Sequence, residues 1–161
     1  MIDQNAIEKK TEAVLANIGY KFPSHYQLPI KLDHVCQNEG ITVKSTREDI
    51  SGKLDRAKKV IYLNAKEPPV RQTFTLAHEL GHYFLHKGDD VLHRHVTYSV
   101  KPEELEANHF AACLLMPKNH FITAFNLLNG NLHEIASHFG VSRPAAAFRA
   151  DVIGGVVNEF C

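Results

Sequence analysis

The sequence predicts an α+β domain in which a small three-stranded sheet packs on helices. Apolar residues recur at helical spacing in five or six segments, and proline or glycine marks most of their boundaries. Three short segments with strand character lie together in residues 41–65. Three strands beside five or six helices indicate this fold class.

In the first part of the chain, the residue pattern predicts two helices and the three strands of the sheet. Residues 6–18 carry apolar side chains at helical spacing and end at Gly19, which suits a helix C-cap. Pro29 then occupies the first turn of a second helix that runs to Gly40. The β-branched run "ITVKS" predicts the first strand. Residues 51–65 predict a hairpin with the arms "GKLDR" and "KVIYLN", whose turn lacks Asn-Gly and therefore does not define the register.

Prolines mark the next two helices. One begins at Pro68 and Pro69 and lasts to about His86, after which the polar stretch "KGDDVLHRHVTYSV" predicts a loop. Pro102 begins the following helix, which stops before Pro117 because a residue that precedes proline disfavours the helical conformation.

The end of the chain predicts a helix-turn-helix-like segment. We expect a short helix over residues 118–128, and the turn residues "NGN" then end it. Two further helices lie about a turn at Gly140, with Ser142 as N-cap of the second. We therefore divide the chain into a domain at residues 1–130 and a C-terminal segment at residues 131–161 that packs on it.

Composition limits the classes of function. The chain has 18 Lys+Arg and 18 Asp+Glu, so its formal net charge is zero and a general electrostatic attraction to nucleic acid is not supported. The three cysteines form no Cys-x-x-Cys pair and no signal peptide is recognisable, which favours a reduced, cytoplasmic protein. No apolar run reaches the length of about 18 residues that a membrane-spanning helix requires.

The stretch "TLAHELGHYFLH", residues 75–86, carries the strongest chemical signal. His78 and His82 lie on one helix face, about 5–6 Å apart at Cβ, and can converge on one ion. Glu79 lies between them and can reach water that the ion activates, so the pattern supplies two ligands and a general base. The rest of this helix is apolar, and a buried polar stripe is costly unless it is paired or liganded. A metal site is therefore favoured over a chance match in a histidine-rich chain.

Two other residues of this helix have different roles. His86 lies at the helix end, where a histidine interacts favourably with the helix dipole. Gly81 costs about 0.5–1 kcal/mol relative to alanine inside a helix. A close approach by a strand or a second helix would explain it.

The helix "PEELEANHFAACLLMP" offers the third ligand, and Glu103, Glu104 and Glu106 are the candidates. Glu104 lies on a face of small and apolar residues that packs inward, so we choose Glu104. Asn108, one turn further on, can accept a hydrogen bond from a ligand imidazole and hold its orientation. Glu106 points nearly the opposite way, alongside Cys113, and is the fallback.

The two motifs together resemble the ImmA/IrrE family of zinc metallopeptidases. In that family a His-Glu-x-x-His helix precedes a Glu-x-x-Ala-Asn/Asp segment that runs into Phe-Ala-Ala-x-Leu-Leu-Met-Pro, and the resemblance covers roughly residues 30–150. It implies a zincin-like domain of gluzincin type with Zn²⁺, or alternatively Mn²⁺, as its cofactor. The carried-over roles are those of metal ligand for His78, His82 and Glu104, of base for Glu79, and of the Asn/Asp position for Asn108.

The resemblance also implies a regulatory substrate. Family members are commonly encoded beside an XRE-type helix-turn-helix repressor, which they cut or otherwise inactivate in prophages, mobile elements or stress responses. We therefore expect a zinc endopeptidase with such a repressor as its protein partner. The alternative is a metal-dependent protein that sequesters the repressor without hydrolysis. Glu79 favours the enzyme, because a structural zinc site closes its fourth position with another ligand.

The sequence disfavours one further function, direct DNA binding, and leaves several candidates for the group that stabilises the oxyanion. A DNA-binding regulator is disfavoured, because the segment "PAAAF" offers few base-reading side chains and only Arg143 and Arg149 are basic there. The group that stabilises the oxyanion has five candidates: Tyr98, His93, Arg94, His95 and His109.

Overall fold

The computed structural model describes residues 3–22, 28–87, 92–93 and 101–158. The helices in these ranges are α1 Gln4–Asn17, α2 Leu32–Glu39, α3 Pro69–Leu85, α4 Pro102–Leu115, α5 Lys118–Leu127, α6 Leu132–Phe139 and α7 Arg143–Asn158. The strands are β1 Thr42–Thr46, β2 Gly52–Asp55, β3 Val60–Asn64 and β4 Leu92–His93. The fold class is α+β, as predicted. Among the described helices, none has the length and apolar character needed to span a membrane.

The described residues form a sheet of four strands in the order β1-β3-β2-β4. β1 and β3 are parallel, whereas β2 pairs antiparallel with both β3 and β4. The three predicted strands are all present as β1, β2 and β3, and the structure adds β4 at the edge of β2. The additional strand is only two residues long and lies in the stretch predicted as a loop. A strand of that length has no alternating pattern, and its pairing depends on the edge that β2 offers.

The hairpin between β2 and β3 turns without an Asn-Gly pair. The Asp55 side chain accepts a hydrogen bond from the backbone N–H of Lys58 at 3.0 Å, and Lys59 has a left-handed φ of 53°. Aspartate favours turns by bonding to nearby backbone in this way. The register, which the sequence does not define, pairs Asp55 with Val60.

Most helices begin at a proline or end at a glycine, as predicted. α3 and α4 begin at Pro69 and Pro102. A backbone N–H in the first turn of a helix has no acceptor within the helix, so proline, which has no N–H, loses no hydrogen bond there. Gly40 and Gly140 follow α2 and α6 in the left-handed conformation. The second helix differs, because it begins at Leu32, three residues after the proline predicted to lie in its first turn.

α3 and α4 pack closely against each other and carry the candidate site. A Cβ on Gly81 would lie 3.0 Å from the Cα of Ala107 and 3.1 Å from its carbonyl oxygen. Contacts that tight would push the two backbones apart. Gly81 therefore permits the close approach of a second helix, as predicted.

A buried ion pair joins α1 and α7 beside α4. Arg149 of α7 is 1% exposed, and its Nη2 lies 2.6 Å from Oε1 of Glu8 in α1. Its Nε donates to the carbonyl oxygen of Met116 at 3.0 Å, and the Cys113 thiol donates to Glu8 Oε2 at 2.6 Å. Burial alone would raise the pKa of Glu8, but the hydrogen bond and the charge of Arg149 outweigh burial and lower that pKa.

Candidate metal centre

His78, His82 and Glu104 converge in the interior of the protein. His78 is 0% exposed, and His82 and Glu104 are each 7% exposed. The histidines lie on successive turns of α3, and the carboxylate comes from the first turn of α4. The four-residue spacing puts both imidazoles on one face. The close approach at Gly81 brings α4 within reach of that face.

The distances among the three side chains fit a zinc ion at their centre. His78 Nε2 lies 2.9 Å from Glu104 Oε2, and His82 Nε2 lies 3.1 Å from Glu104 Oε1. The two Nε2 atoms are 3.1 Å apart. Zinc–ligand bonds of about 2.0–2.1 Å in tetrahedral geometry separate neighbouring ligand atoms by about 3.3 Å. An expansion of a few tenths of an ångström would therefore bring the spacing of these atoms to that of zinc ligands.

Asn108 contacts the other side of the His78 ring. Its Oδ1 lies 2.8 Å from His78 Nδ1. An amide oxygen can only accept, so Nδ1 donates the proton and a neutral His78 presents the lone pair of Nε2 to the ligand group. Metal binding through Nε2 requires this tautomer.

Glu79 is fully buried and lies against the first residue of β2. A Cβ on Gly52 would lie 3.2 Å from Glu79 Oε1 and 2.6 Å from Thr75 Cγ2. Glycine at this position therefore lets the strand pack directly on the helix that carries the motif. Sequence reasoning missed Gly52, although a glycine in a strand is a signal of close approach.

His86 and Glu106 lie next to the ligand group. His86 Nδ1 is 3.0 Å from His82 Nδ1, and His86 Nε2 is 3.0 Å from Glu106 Oε1. Glu106, the fallback ligand, is thus placed beside His86 and outside the group of His78, His82 and Glu104. The helix dipole accounts only for the position of His86 at the helix end. Its four-residue spacing from His82 is the signal that predicts the ring contact.

Of the five candidates for oxyanion stabilisation, His109 is the one whose side chain lies among the described residues, and it belongs to a different group. His109 is buried beside Glu8 and Cys113, which form a separate cluster. Burial lowers the pKa of His109, and the charge of Arg149 lowers it further. Outside the described residues lie Tyr98, Arg94, His95 and the side chain of His93.

A mostly apolar cavity of about 430 Å³ lies between the beginnings of α3 and α7. Phe74, Pro144 and Phe148 form part of its wall, and it extends to Thr75 and Asn108. Because Asn108 also contacts His78, the cavity shares a wall with the ligand group.

A buried helix with two histidines and a glutamate, completed by a carboxylate from the next helix, defines a metallopeptidase class of site on an α+β domain. The family model described as the IrrE N-terminal-like domain (Peptidase_M78) matches residues 36–151. The chain therefore belongs to the ImmA/IrrE family of metallopeptidases.

Several named relatives agree with this assignment. The radiation response metalloprotease IrrE of Deinococcus radiodurans is 35% identical over 106 residues, which are 60% of this chain and 32% of IrrE. The metallopeptidase ImmA of Bacillus subtilis is 30% identical over 108 residues, which are 65% of this chain and 64% of ImmA. Immunity region protein 2 of Bacillus phage phi105, which is itself uncharacterized, is 33% identical over 91 residues, or 55% of this chain and 57% of the phage protein. The chain thus spans about a third of IrrE and under two thirds of ImmA.

A solved structure extends the likeness of the fold. A Mycobacterium tuberculosis transcriptional regulator superposes with a TM-score of 0.67 over 90% of this chain and 46% of that protein. The two sequences are 17% identical, so this comparison shows a shared fold and nothing about activity.

Proposed function

We propose that the protein is a zinc-dependent endopeptidase of gluzincin type, built on a zincin-like domain. The observation that carries this proposal is the convergence of His78, His82 and Glu104 at 2.9–3.1 Å, with Glu79 buried on the same helix as the histidines. In this proposal the first three side chains hold the ion and Glu79 is the general base. Asn108 orients His78 through its Nδ1–H.

The chemistry of the side chains follows from this assignment. Zinc, when bound, supplies the Lewis acidity that polarises the scissile carbonyl. Glu79 removes a proton from water as the water oxygen attacks the carbonyl carbon, and it returns that proton to the leaving nitrogen as the C–N bond breaks. One peptide bond and one water molecule are thus converted into a carboxylic acid and an amine. The packing of β2 at Gly52 holds the Glu79 carboxylate in place.

The donor set favours zinc over manganese. Two imidazoles and one carboxylate are typical zinc ligands, whereas manganese prefers carboxylate, carbonyl and water oxygens. Metal analysis of protein purified without added metal tests this choice. About one equivalent of zinc per chain supports the proposal, and manganese at that stoichiometry contradicts the choice of zinc.

We propose a protein substrate, specifically an XRE-type repressor. The family resemblance supports it, as do the names of three relatives: a metalloprotease, a metallopeptidase and an immunity region protein. The apolar cavity beside Asn108 offers space for an apolar side chain of a polypeptide. A repressor substrate also agrees with the cytoplasmic location that the cysteine pattern predicts.

We propose that the helix-turn-helix-like segment, residues 131–161, packs on the catalytic domain at residues 1–130 and does not bind DNA directly. Ser142 Oγ accepts the N–H of Ala145 at 3.2 Å, the cap expected for the second helix of such a unit. Of its two arginines, Arg149 is 1% exposed and bonded to Glu8, which leaves Arg143 for contact with phosphate. Both observations support packing rather than DNA recognition.

The decisive experiment uses the metal-loaded protein and the XRE-type repressor proposed as its substrate. We expect the wild-type protein to cleave the repressor, and we expect Glu79→Ala to bind zinc with near wild-type affinity but not to cleave. Mass spectrometry of the products locates the scissile bond. Cleavage by Glu79→Ala at the wild-type rate contradicts the proposed mechanism.

The same proteins test the sequestering alternative. If the wild-type protein binds the repressor and displaces it from operator DNA without cleaving it, and Glu79→Ala does so equally well, then the non-proteolytic function is correct. Direct binding of the wild-type protein to operator DNA without the repressor contradicts our proposal for the C-terminal segment.

A further inference from the structure

We propose that Glu106 and His86 form a positioning chain that holds the His82 imidazole in the orientation and tautomer required for metal binding. This inference rests on the proposed metal site and adds two residues to it. Neither residue belongs to the three converging ligands. The proposal assigns them a role in how tightly the ion is held.

The geometry forms a continuous path from α4 to the ligand group. Glu106 Oε1 lies 3.0 Å from His86 Nε2, and His86 Nδ1 lies 3.0 Å from His82 Nδ1. The opposite nitrogen of His82, Nε2, lies 3.1 Å from both His78 Nε2 and Glu104 Oε1. The side chain of Glu106 is 7% exposed and that of His86 is 15% exposed, so water competes little for these contacts.

Hydrogen-bond chemistry assigns one proton arrangement to this path. A carboxylate only accepts, so His86 Nε2 donates to Glu106, and a neutral His86 then has Nδ1 as an acceptor. That acceptor takes the proton of His82 Nδ1, which leaves a lone pair on His82 Nε2, the atom that faces the other ligands. The arrangement therefore prepares His82 for a metal, as Asn108 does for His78.

The backbone fixes where His86 can lie. His86 follows the last residue of α3, and its N–H donates to the His82 carbonyl at 3.0 Å. The guanidinium of Arg56 also donates to the carbonyl oxygens of His82 and Tyr83. These bonds hold the end of α3, so the imidazole of His86 stays one turn beyond that of His82.

The two ligand histidines therefore have unequal support. His78 donates to a neutral amide, whereas His82 connects through one imidazole to a carboxylate. A partner of this kind raises the basicity of a ligand imidazole, and its removal typically costs about 10–100-fold in metal affinity. We expect losses of this size when the chain is broken.

The test measures zinc affinity by chelator competition in the full-length protein. His86→Phe keeps an aromatic ring but removes both nitrogens, and Glu106→Leu removes the acceptor. We expect each to weaken zinc binding about 10–100-fold. Glu106→Gln keeps an oxygen that can accept from His86, so we expect it to retain most of the affinity. Glu103→Gln, on the same turn of α4 but exposed, serves as the matched control and should match the wild type.

Nitrogen NMR of the histidine rings supplies a reading that does not depend on mutation. In the zinc-loaded wild type we expect the proton on Nδ1 of His82 and on Nε2 of His86. Thermal unfolding of each metal-free variant shows whether a weaker affinity reflects a lost fold. If a variant has lost its fold, its zinc affinity is not used. The test then depends on the zinc affinity of Glu106→Gln and on the proton positions that NMR gives for the wild type.

The outcomes separate this inference from the proposed function. Wild-type affinity in both His86→Phe and Glu106→Leu overturns the positioning chain while leaving the metal site intact. A proton on Nδ1 of His86 in the zinc-loaded protein does the same. A wild-type protein that binds no zinc overturns the proposed metal site and the positioning chain together.

Discussion

Two buried clusters adjoin α4, and each contains histidine and carboxylate groups. The ligand cluster consists of His78, His82 and Glu104, and the anchor cluster consists of Glu8, His109, Cys113 and Arg149. In the ligand cluster, two imidazole nitrogens and a carboxylate converge. In the anchor cluster, the guanidinium lies 2.6 Å from the carboxylate and 3.3 Å from the thiol sulfur.

Proximity of donor atoms alone does not make a metal site. The ligand atoms of Glu8, His109 and Cys113 also lie within 4.8 Å of one another. Arg149, however, already supplies a positive charge and donates to both carboxylate oxygens. The anchor cluster is therefore an ion pair that joins three helices, whereas the ligand cluster has the donor geometry for an added cation. The following predictions test this comparison.

The largest expected effect is on the stability of the anchor cluster. Arg149→Met leaves the Glu8 carboxylate, whose side chain is 16% exposed, without its cation. Breaking a fully buried pair typically costs about 3–5 kcal/mol, so we take the lower end of that range, about 3 kcal/mol. We expect a loss of this size in the free energy of unfolding of the metal-free protein, measured with urea. Arg143→Met, on the exposed side of the same helix, should change stability by less than about 0.5 kcal/mol. Equal stability of Arg149→Met and the wild type would show that the pair is not an anchor.

The next-largest expected effect is a difference in zinc affinity between a variant of the ligand cluster and a variant of the anchor cluster. Glu104→Ala removes a proposed ligand, so we expect its zinc affinity to fall by more than the roughly 100-fold upper range for outer-shell changes. His109→Ala removes a histidine from the anchor cluster on the same helix, and we expect unchanged affinity. Chelator competition measures both variants. The distinction between the clusters fails if His109→Ala releases zinc as readily as Glu104→Ala does.

Local spacing predicts much of the fold and the placement of the ligand cluster. Proline and glycine act on their own neighbours, so the ends of α3, α4 and α6 can be found from the sequence. Helical periodicity is likewise enough to put Glu104 and Asn108 on one face of α4, and that face meets His78 in the structure. These features depend on residues only a few positions apart.

Features that depend on distant pairing cannot be found in this way. Glu8 and Arg149 are separated by nearly the whole chain, and periodicity shows only that each is a charged residue in a helix. Glu106 also has an inward role that the face argument does not assign, because its partner His86 lies just beyond the end of another helix, α3. The two-residue strand β4 depends on the edge of β2 in the same manner.

A smaller effect concerns acid stability. Since the pKa of Glu8 is lowered in the folded protein, its contribution to stability is present above the usual value of 4.5 and is lost as the pH falls through the folded pKa. We expect the stability difference between the wild type and Glu8→Gln to shrink as the pH falls below that value. Urea unfolding of both metal-free proteins from neutral to acidic pH measures this difference. A difference that grows on acidification would contradict the lowered pKa.

The smallest expected effect is on the visible spectrum of Co²⁺-loaded protein, because we expect no thiolate of the anchor cluster to bind the metal. Burial raises the pKa of the Cys113 thiol, and the nearby Arg149 charge does not offset this. A metal binds the thiolate, so a neutral thiol beside a guanidinium is a poor ligand. We expect Co²⁺-loaded protein to show no sulfur-to-cobalt charge-transfer absorption, with the same visible spectrum in Cys113→Ala. A charge-transfer band that disappears in Cys113→Ala would mean that a metal can displace Arg149, and the two clusters would then differ in affinity rather than in kind.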